Sequence, residues 1–451
     1  VSFNASANTG GVTATVLSTA ASLNADGYVF SAGSDNVKLS ATTVSTKVSL
    51  GAGDDIVTLA TGTTALAAVI DGGAGIDTLA MVVADANTVT LAGTSAFENK
   101  ISGFEKLSLT STLTTAAAID LSLFDDIDYV ISAGTGAFAL ALSNMANNGT
   151  LELTGDTTVT TGDITVTMKD ASGNADTFNI VTKVDTGDIT FAGDIKVDNV
   201  ETININAIDL SPVNAAGAAT ISEASLIVVA NLAKTVNVTG NSDVALALTG
   251  STLVTLIDGS SMTGALTATT FDSTSAATIK GGSGADDLTA TTTNDKLYGN
   301  AGADTLTVAN GANLVQLYGG EGKDTYVIGL ATNSNGYATI NGTKAELSGD
   351  VIQFINSTTG TPTATTIAGI SSLAKIDNLG STAVFQDYVN EAAKGTTADN
   401  KVAWFQLDGN TYVVQNNSTL DSFANGVDAV VKITGLVDLT FNATTNVLEI
   451  A

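Results

Sequence analysis

The chain has 451 residues, a formal net charge of −29, and neither histidine nor cysteine. The missing side chains exclude thiol nucleophiles, disulfide frameworks and histidine-based triads, and they deprive zinc of its usual ligands. With 45 acidic residues against 16 basic ones, all lysine, the chain is a poor partner for nucleic acid or an anionic membrane surface. No apolar run approaches the roughly 18 residues of a membrane span.

Abundant threonine, alanine, valine and glycine with only 2 prolines predict many short β-strands joined by small-residue turns. We divide the chain into four segments, residues 1–90, 91–275, 276–352 and 353–451. In the first, residues 28–30, 37–39 and 48–50 alternate in the manner of strands. The chain does not begin as a signal peptide does, and we expect it to be the C-terminal piece of a longer protein.

The second segment contains two similar stretches, residues 101–110 and 197–206. Each has an apolar residue, a glutamate and then an alternation of apolar and polar residues, which predicts a half-buried strand. Glu105 and Glu201 are interpreted as solvated strand starts, with a role as metal ligands as the alternative. Asp176 ends a degenerate glycine-containing turn, residues 172–176, and is a weaker ligand candidate.

The third segment closes with residues 349–354. In the fourth, apolar spacing predicts a helix over residues 371–394 that ends at Gly395. Residues 402–407 and 411–414 then predict a hairpin around the turn at 408–410, and the strand-like stretches 427–439 and 447–451 follow.

Five stretches repeat one pattern of a glycine-rich turn, an aspartate at the sixth position and an apolar residue two places later. They are residues 50–58, 72–80, 281–289, 299–307 and 319–327. Calcium takes six to eight oxygens from carboxylates and backbone carbonyls, and glycine allows the tight turns that bring such carbonyls together. Since one repeat has too few oxygens, we expect two stacked turns to complete each site.

Two degenerate units extend the pattern, at residues 32–37 and 290–298. The candidate calcium ligands and turn glycines are Asp35, Gly51, Gly53, Asp54, Asp55, Gly73, Gly75, Asp77, Gly282, Gly284, Asp286, Asp287, Asp295, Gly299, Gly302, Asp304, Gly320, Gly322 and Asp324.

The nonapeptides resemble the calcium-binding repeats of RTX proteins. The end of the chain, with residues 404–406, 409–413 and 428–439, is similar to the C-terminal ends of bacterial surface proteins exported by type I secretion. The middle is similar to bacterial S-layer proteins of the RTX kind. The resemblance implies an all-β fold, with parallel β-roll or β-solenoid calcium-binding segments, additional β-sheet segments and a small C-terminal α+β cap. It also implies an uncleaved C-terminal export signal and folding outside the cell upon Ca²⁺ binding.

The expected function is therefore structural: a surface-layer protein that forms a two-dimensional lattice of its own copies on the bacterial surface. Its expected partners are the type I secretion machinery and, through an N-terminal domain absent from this sequence, a cell-surface polysaccharide. The alternative is an RTX adhesin or the export and folding module of a secreted protein. An enzyme is disfavoured, since its chemistry would rest on the carboxylate pairs Asp54/Asp55, Asp125/Asp126 and Asp286/Asp287.

Overall fold

The computed structural model describes residues 3–17, 19, 26–125, 127–154, 161–184, 189–210, 223–270, 273–355, 372–394, 401–442 and 447–451. The chain divides into two compact units, Val1–Asn231 (unit 1) and Leu232–Ala451 (unit 2). Each unit is described separately.

The strands of unit 1 are short. In chain order they are β1 (Phe3–Asn4), β2 (Thr13–Val16), β3 (Tyr28–Val29), β4 (Asn36–Leu39), β5 (Val48–Ala52), β6 (Ile56–Thr58), β7 (Ile70–Ala74), β8 (Thr78–Met81), β9 (Ile101–Ser102), β10 (Lys106–Leu109), β11 (Ala117–Asp120), β12 (Tyr129–Ser132), β13 (Leu140–Met145), β14 (Thr150–Thr154), β15 (Ile164–Met168), β16 (Thr177–Val184), β17 (Ile189–Val197), β18 (Thr202–Asp209) and β19 (Glu223–Val229). Helix α1 (Val83–Ala92) follows β8, and 3₁₀ turns occupy Glu98–Lys100 and Leu121–Leu123.

Unit 2 continues with strands of similar length. They are β20 (Thr235–Gly240), β21 (Asp243–Ala247), β22 (Leu256–Met262), β23 (Leu266–Thr269), β24 (Thr278–Lys280), β25 (Asp287–Ala290), β26 (Lys296–Ala301), β27 (Thr305–Val308), β28 (Gln316–Glu321), β29 (Thr325–Ile328), β30 (Ala338–Ile340), β31 (Val351–Phe354), β32 (Ser372–Lys375), β33 (Lys401–Leu407), β34 (Asn410–Asn416), β35 (Ala429–Ile433), β36 (Leu439–Asn442) and β37 (Val447–Ile450). Helix α2 (Phe385–Ala392) precedes β33.

Parallel pairing between every second strand organises unit 1. The described strands form one sheet in the order β1-β3-β5-β7-β9, a second from β2 through the even-numbered strands to β18, and a third from β11 through the odd-numbered strands to β19. Consecutive strands therefore alternate between sheets, and each pair of strands makes one turn of a parallel β-solenoid. This arrangement places equivalent residues of successive turns directly above one another.

Rows of aliphatic side chains fill the solenoid of unit 1. In register, Leu107 lies beside Val130, which is followed by Leu151, Ile180 and Ile205, and all five are buried. Alternate residues of each strand face this row because the side-chain period of a strand is two. Full burial of one such side chain contributes roughly 1.5–3 kcal/mol.

Unit 2 contains the same solenoid pattern, and the last strands of the chain add to its sheets. Its even-numbered strands pair in parallel from β20 to β30, and its odd-numbered strands from β21 to β31. Strand β35 adds in parallel to β30, and β33, β34 and β35 continue as an antiparallel sheet. Strand β37 pairs antiparallel with β31. The final strands thereby pair with β30 and β31, whose edges would otherwise be open to pairing with another chain.

The predicted fold class is confirmed: strands dominate, the repeats lie in parallel sheets and a small α+β cap ends the chain. Pairing continues across the predicted boundaries at residues 90 and 275, since β8 pairs with β10 and β22 with β24.

The predicted helix over residues 371–394 is wrong in its first part. Ser372–Lys375 forms β32 in parallel register with β33, and only Phe385–Ala392 is helical. Gly395 and residue 371 lie outside the described residues. The predicted hairpin is confirmed by β33 and β34, whose turn residues Asp408 and Gly409 both have positive φ, as a type I′ turn requires. None of the helices in the described ranges has the length and apolarity needed to cross a membrane.

Candidate metal sites

The glycine-rich turns stack so closely that a side chain would not fit between them. A Cβ atom at Gly73 would lie 2.0 Å from the carbonyl oxygen of Gly51, and one at Gly75 would lie 2.0 Å from that of Gly53. All four glycines have positive φ. Glycine is therefore required here for backbone conformation and for the close approach of successive turns.

The second group of repeats stacks in the same way. A Cβ atom at Gly302 would lie 2.0 Å from the Gly284 carbonyl oxygen, and one at Gly322 would lie 1.6 Å from that of Gly302. At Gly320 the obstacle is the Asn300 carbonyl oxygen, 2.0 Å away. A Cβ at Gly282 would meet the Met262 carbonyl oxygen at 2.4 Å, and one at Gly299 would meet the Asp304 carboxylate at 2.2 Å.

Each repeat aspartate hydrogen-bonds to the next turn, and the bonds form two continuous series that we call ladders. In the first ladder the backbone N–H of Asp35 donates to Asp55 Oδ1 (2.6 Å), that of Asp55 to Asp77 Oδ1 (2.8 Å), and that of Asp77 to Glu105 Oε2 (2.7 Å). Carboxylates of the first ladder thus bind successive turns of unit 1 together.

The second ladder lies in unit 2 and repeats this bonding. The N–H of Asp286 donates to Asp304 Oδ1 (2.9 Å), that of Asp304 to Asp324 Oδ1 (3.0 Å), and that of Asp324 to Asp350 Oδ1 (3.0 Å). Residues 18, 20 and 26 apart in sequence are thereby placed in one row.

Several ladder aspartates have one carboxylate oxygen without a partner. In the described part of the chain, the Oδ2 atoms of Asp55, Asp77, Asp304 and Asp324 are buried and accept no hydrogen bond. A buried carboxylate oxygen left unpartnered is costly, and burial of the charge is tolerated when the group is paired or coordinates a metal. Calcium prefers such carboxylate oxygens together with backbone carbonyls, so these turns fit a calcium ion.

Other aspartates in the ladders need no metal to satisfy their oxygens. Asp35 accepts bonds from Val12 N–H at Oδ1, from Ser31 N–H at Oδ2 and from the Ser31 hydroxyl. Ser31 occupies the position that Gly51 has in the next unit, and its hydroxyl donates to Asp35 Oδ1. Asp286 is satisfied by Leu266 N–H at Oδ1 and Gly282 N–H at Oδ2.

Asp295 lies apart from the second ladder. Its Oδ1 accepts from Ala277 N–H (2.8 Å), and its Oδ2 accepts from Thr292 N–H and the Thr270 hydroxyl (both 2.8 Å). Both oxygens are therefore used to hold the turn that precedes β26. The geometry gives Asp295 a structural role.

Asp54 and Asp287 are exposed, whereas the neighbouring Asp55 and Asp286 are buried. Within each of these two pairs, one carboxylate therefore faces solvent and the other faces the interior of the stacked turns. Asp54 Oδ1 instead accepts the N–H of Ile76 on the next turn (2.9 Å). The third pair includes Asp126, which lies outside the described residues, and Asp125 accepts the N–H of Phe104 (3.0 Å).

Two ladder members were not recognised as such in the sequence. Glu105 is exposed and directly precedes β10, as predicted for a solvated strand start, and its carboxylate also ends the first ladder by accepting the N–H of Asp77. Asp350 ends the second ladder, and its Oδ2 accepts the hydroxyl of Tyr326 (3.2 Å). The sequence signal at Asp350 is a preceding glycine and a following apolar strand, without the rest of the nonapeptide.

Burial raises the pKa of several ladder aspartates. Desolvation raises the pKa of Asp55, Asp286 and Asp350 to about 6. It raises the pKa of Asp304 to about 7, with further contributions from the charges of Asp286 and Asp324. A bound divalent cation would reverse this preference by favouring the ionised form.

No group of three or more acidic side chains converges within the described residues. An ion held at the stacked turns would therefore take most of its oxygens from the backbone, as the glycine-rich sequence allows. The ladders supply charge, and the turns supply carbonyls.

Fold and turns together define a β-roll protein with stacked acidic turns. Residues 280–315 match the family model of the RTX calcium-binding nonapeptide repeat, described as four copies. The chain thus contains calcium-binding RTX repeats, which confirms calcium as the cofactor and indicates a secreted protein. The match includes the candidates between Gly282 and Asp304, while the first ladder and Asp324 lie outside it. No curated protein matched the chain.

Replacing Asp304 with asparagine should weaken calcium binding, whereas the same change at Asp35 should not. Both variants keep the backbone N–H bond of the ladder. Asp304→Asn converts an unpartnered oxygen into an amide, whereas Asp35→Asn loses the hydrogen bond that Oδ2 accepts from Ser31 N–H but removes no unpartnered oxygen. We expect loss of one ion, or at least tenfold weaker binding at that site, worth about 1.4 kcal/mol. Isothermal titration with Ca²⁺ measures it, and equal losses in the two variants would contradict the assignment.

Acid should stabilise the calcium-free protein. Asp55, Asp286, Asp304 and Asp350 have folded-state pKa values of about 6 to 7, above the unfolded value of 3.8. The folded state therefore binds more protons, and the free energy of unfolding rises as the pH falls from about 7 towards 4. In chelator, the circular dichroism signal of β-sheet should therefore increase as the pH falls over this window. In saturating Ca²⁺ the melting temperature should instead fall, because protons compete with the ion. A melting temperature that rises with acid in saturating Ca²⁺, or a β-sheet signal in chelator that does not increase, would contradict this prediction.

Proposed function

We propose that this chain is a calcium-dependent structural protein of a bacterial surface layer, or the lattice-forming portion of one. The observation that carries the proposal is the pair of ladders with buried, unpartnered carboxylate oxygens. We propose Asp55, Asp77, Asp304 and Asp324 as ligands, with carbonyls from the stacked glycine turns around Gly53, Gly75, Gly302 and Gly322. Because unit 1 and unit 2 each contain a ladder, both would fold only with calcium.

Dependence on calcium suits a protein that works outside the cell. Extracellular calcium modules bind with dissociation constants of about 10⁻⁴–10⁻³ M. Where calcium is scarce, an acidic, glycine-rich chain has too little core to fold and stays disordered. Binding then supplies folding free energy after export, as in other proteins whose metal sites form only on folding. The type I secretion machinery is the proposed export partner.

The outer faces of the sheets offer surfaces suited to contacts between copies. Asn204 Nδ2 donates to Asn179 Oδ1 on the neighbouring strand (2.9 Å), and Asn179 Nδ2 donates to the Asn148 carbonyl (2.7 Å). Small, ordered polar side chains of this kind leave a flat surface. Net charge nevertheless opposes assembly, since copies of a chain at −29 repel each other unless cations screen or bridge them.

Carboxylates outside the repeats are the proposed bridging ligands. The sequence candidates are Asp125, Asp126, Asp128, Asp163, Asp188 and Asp194. Asp126 and Asp188 lie outside the described residues. Asp163 and Asp194 share the ammonium group of Lys196, at 2.5 and 3.4 Å, so their charge is already partly neutralised. Asp128 is exposed, which favours it for a contact between copies.

A second candidate function is an RTX adhesin, or the export and folding module of a secreted protein. The C-terminal cap favours it, because β35 and β37 extend the sheets that contain the second ladder. A cap of this kind would complete a folding module whether or not the protein assembles.

Assembly separates the two functions. Calcium should produce sheets or large oligomers of the purified chain, whereas magnesium at equal ionic strength should not, because magnesium gives up its waters reluctantly. Electron microscopy and sedimentation velocity at several protein concentrations measure the outcome. A folded chain that stays monomeric at high concentration in Ca²⁺ would reject the lattice and favour the alternative.

A further inference from the structure

A turn in the middle of unit 1 repeats the geometry of the first ladder without a nonapeptide. The backbone N–H of Asp176 donates to Glu201 Oε2 at 2.9 Å. The carbonyl oxygen of Asp176 accepts the N–H groups of Glu201 and Thr202, at 3.1 and 3.0 Å. Asp176 and Glu201 are 25 residues apart and lie on successive turns of the solenoid.

The same three bonds occur at the end of the first ladder. Asp77 N–H donates to Glu105 Oε2 at 2.7 Å, and the Asp77 carbonyl accepts the N–H groups of Glu105 and Lys106 at 3.2 and 3.0 Å. The similarity between residues 101–110 and 197–206 thus has a structural cause: each stretch supplies the glutamate that ends such a turn. Asp77 belongs to a nonapeptide, whereas Asp176 does not.

The carboxylate of Asp176, like that of Asp77, has one buried oxygen without a hydrogen-bond donor. Asp176 is 6% exposed, and its Oδ2 accepts no hydrogen bond from the described residues. A Cβ atom at Gly173 would lie 2.6 Å from this oxygen, just as one at Gly72 would lie 2.8 Å from Asp77 Oδ2. A glycine therefore provides the space beside each unpartnered oxygen.

We propose that Asp176 and Glu201 form a further calcium site, in a part of the chain that contains no RTX nonapeptide. Two carboxylates on successive turns supply negative charge, and the glycine-containing turn before Asp176 would supply backbone carbonyls. A hard divalent cation with oxygen ligands meets the requirement of the unpartnered oxygen, as it does at the repeats. The proposal concerns a different turn from the repeats and stands whether or not the protein forms a lattice.

The test uses the full chain and two nearly isosteric variants, Asp176→Asn and Glu201→Gln. Both keep an oxygen acceptor but lose the charge. Equilibrium dialysis against Ca²⁺, with bound calcium counted by mass spectrometry, should give one ion fewer per chain in each variant. The matched control is Asp170→Asn, since Asp170 lies on the same turn but is exposed, and its Oδ1 is satisfied by Ser172 N–H and hydroxyl. It should bind as many ions as the parent.

Circular dichroism gives a second readout with opposite signs in the two buffers. In chelator, Asp176→Asn should show a β-sheet signal equal to or stronger than that of the parent, because it removes a buried charge. In saturating Ca²⁺ the variant should melt at a lower temperature than the parent, because it loses an ion. An unchanged ion count together with an unchanged gain from calcium in both variants would overturn the proposal. If Asp176→Asn does not fold, the ion count of Glu201→Gln decides. Loss of ions from Asp304→Asn tests calcium binding by the repeats only, so the outcome at Asp176 and Glu201 is independent of it.

Discussion

The structure depends on carboxylate oxygens that are buried between stacked backbone turns without a hydrogen-bond donor. A buried charge of this kind costs several kcal/mol per ion unless it is paired, and the described oxygens of Asp55, Asp77, Asp304 and Asp324 have no protein partner. The glycines bring the turns close enough to create these positions. A calcium ion bound between successive turns, as proposed, would convert the electrostatic cost of these oxygens into coordination bonds that join the turns.

The hydrophobic core and the ladders both hold successive turns of the solenoid in register. Rows of buried aliphatic residues such as Ile257, Ile279, Leu297 and Leu317 hold the turns in register from inside, and the ladders hold them at the edge. Each row needs several turns before it encloses a core, which is general for solenoids. Cooperativity should therefore run along each unit, with the ladders as the part that depends on solvent ions.

The sequence predicted the repeats well because glycine, aspartate and an apolar residue occur there at fixed spacing. It predicted the hairpin at Asp408 and Gly409 for the same local reason. It did not separate Asp304 from Asp286, because their difference lies in a donor from another turn, Leu266 N–H. It set Asp295 apart only by its degenerate repeat, and did not indicate that the Thr270 hydroxyl satisfies this carboxylate. The roles of Glu105, Glu201 and Asp350 also depend on contacts over 24 to 28 residues, which no local pattern displays. Helix α1 was missed because its sequence lacks an amphipathic period, and β32 because pairing with β33 overrides its local helical spacing.

The central claim is that calcium, by satisfying the buried ladder carboxylates, makes the solenoid fold. Far-ultraviolet circular dichroism during a calcium titration of the chelated chain at pH 7.5 or above, about half a unit past the highest ladder pKa, tests it most directly. The account predicts a cooperative gain of β-sheet signal at roughly millimolar or lower calcium, reversed by excess chelator. A full strand signal in chelator, with a melting temperature that calcium leaves unchanged, would contradict it.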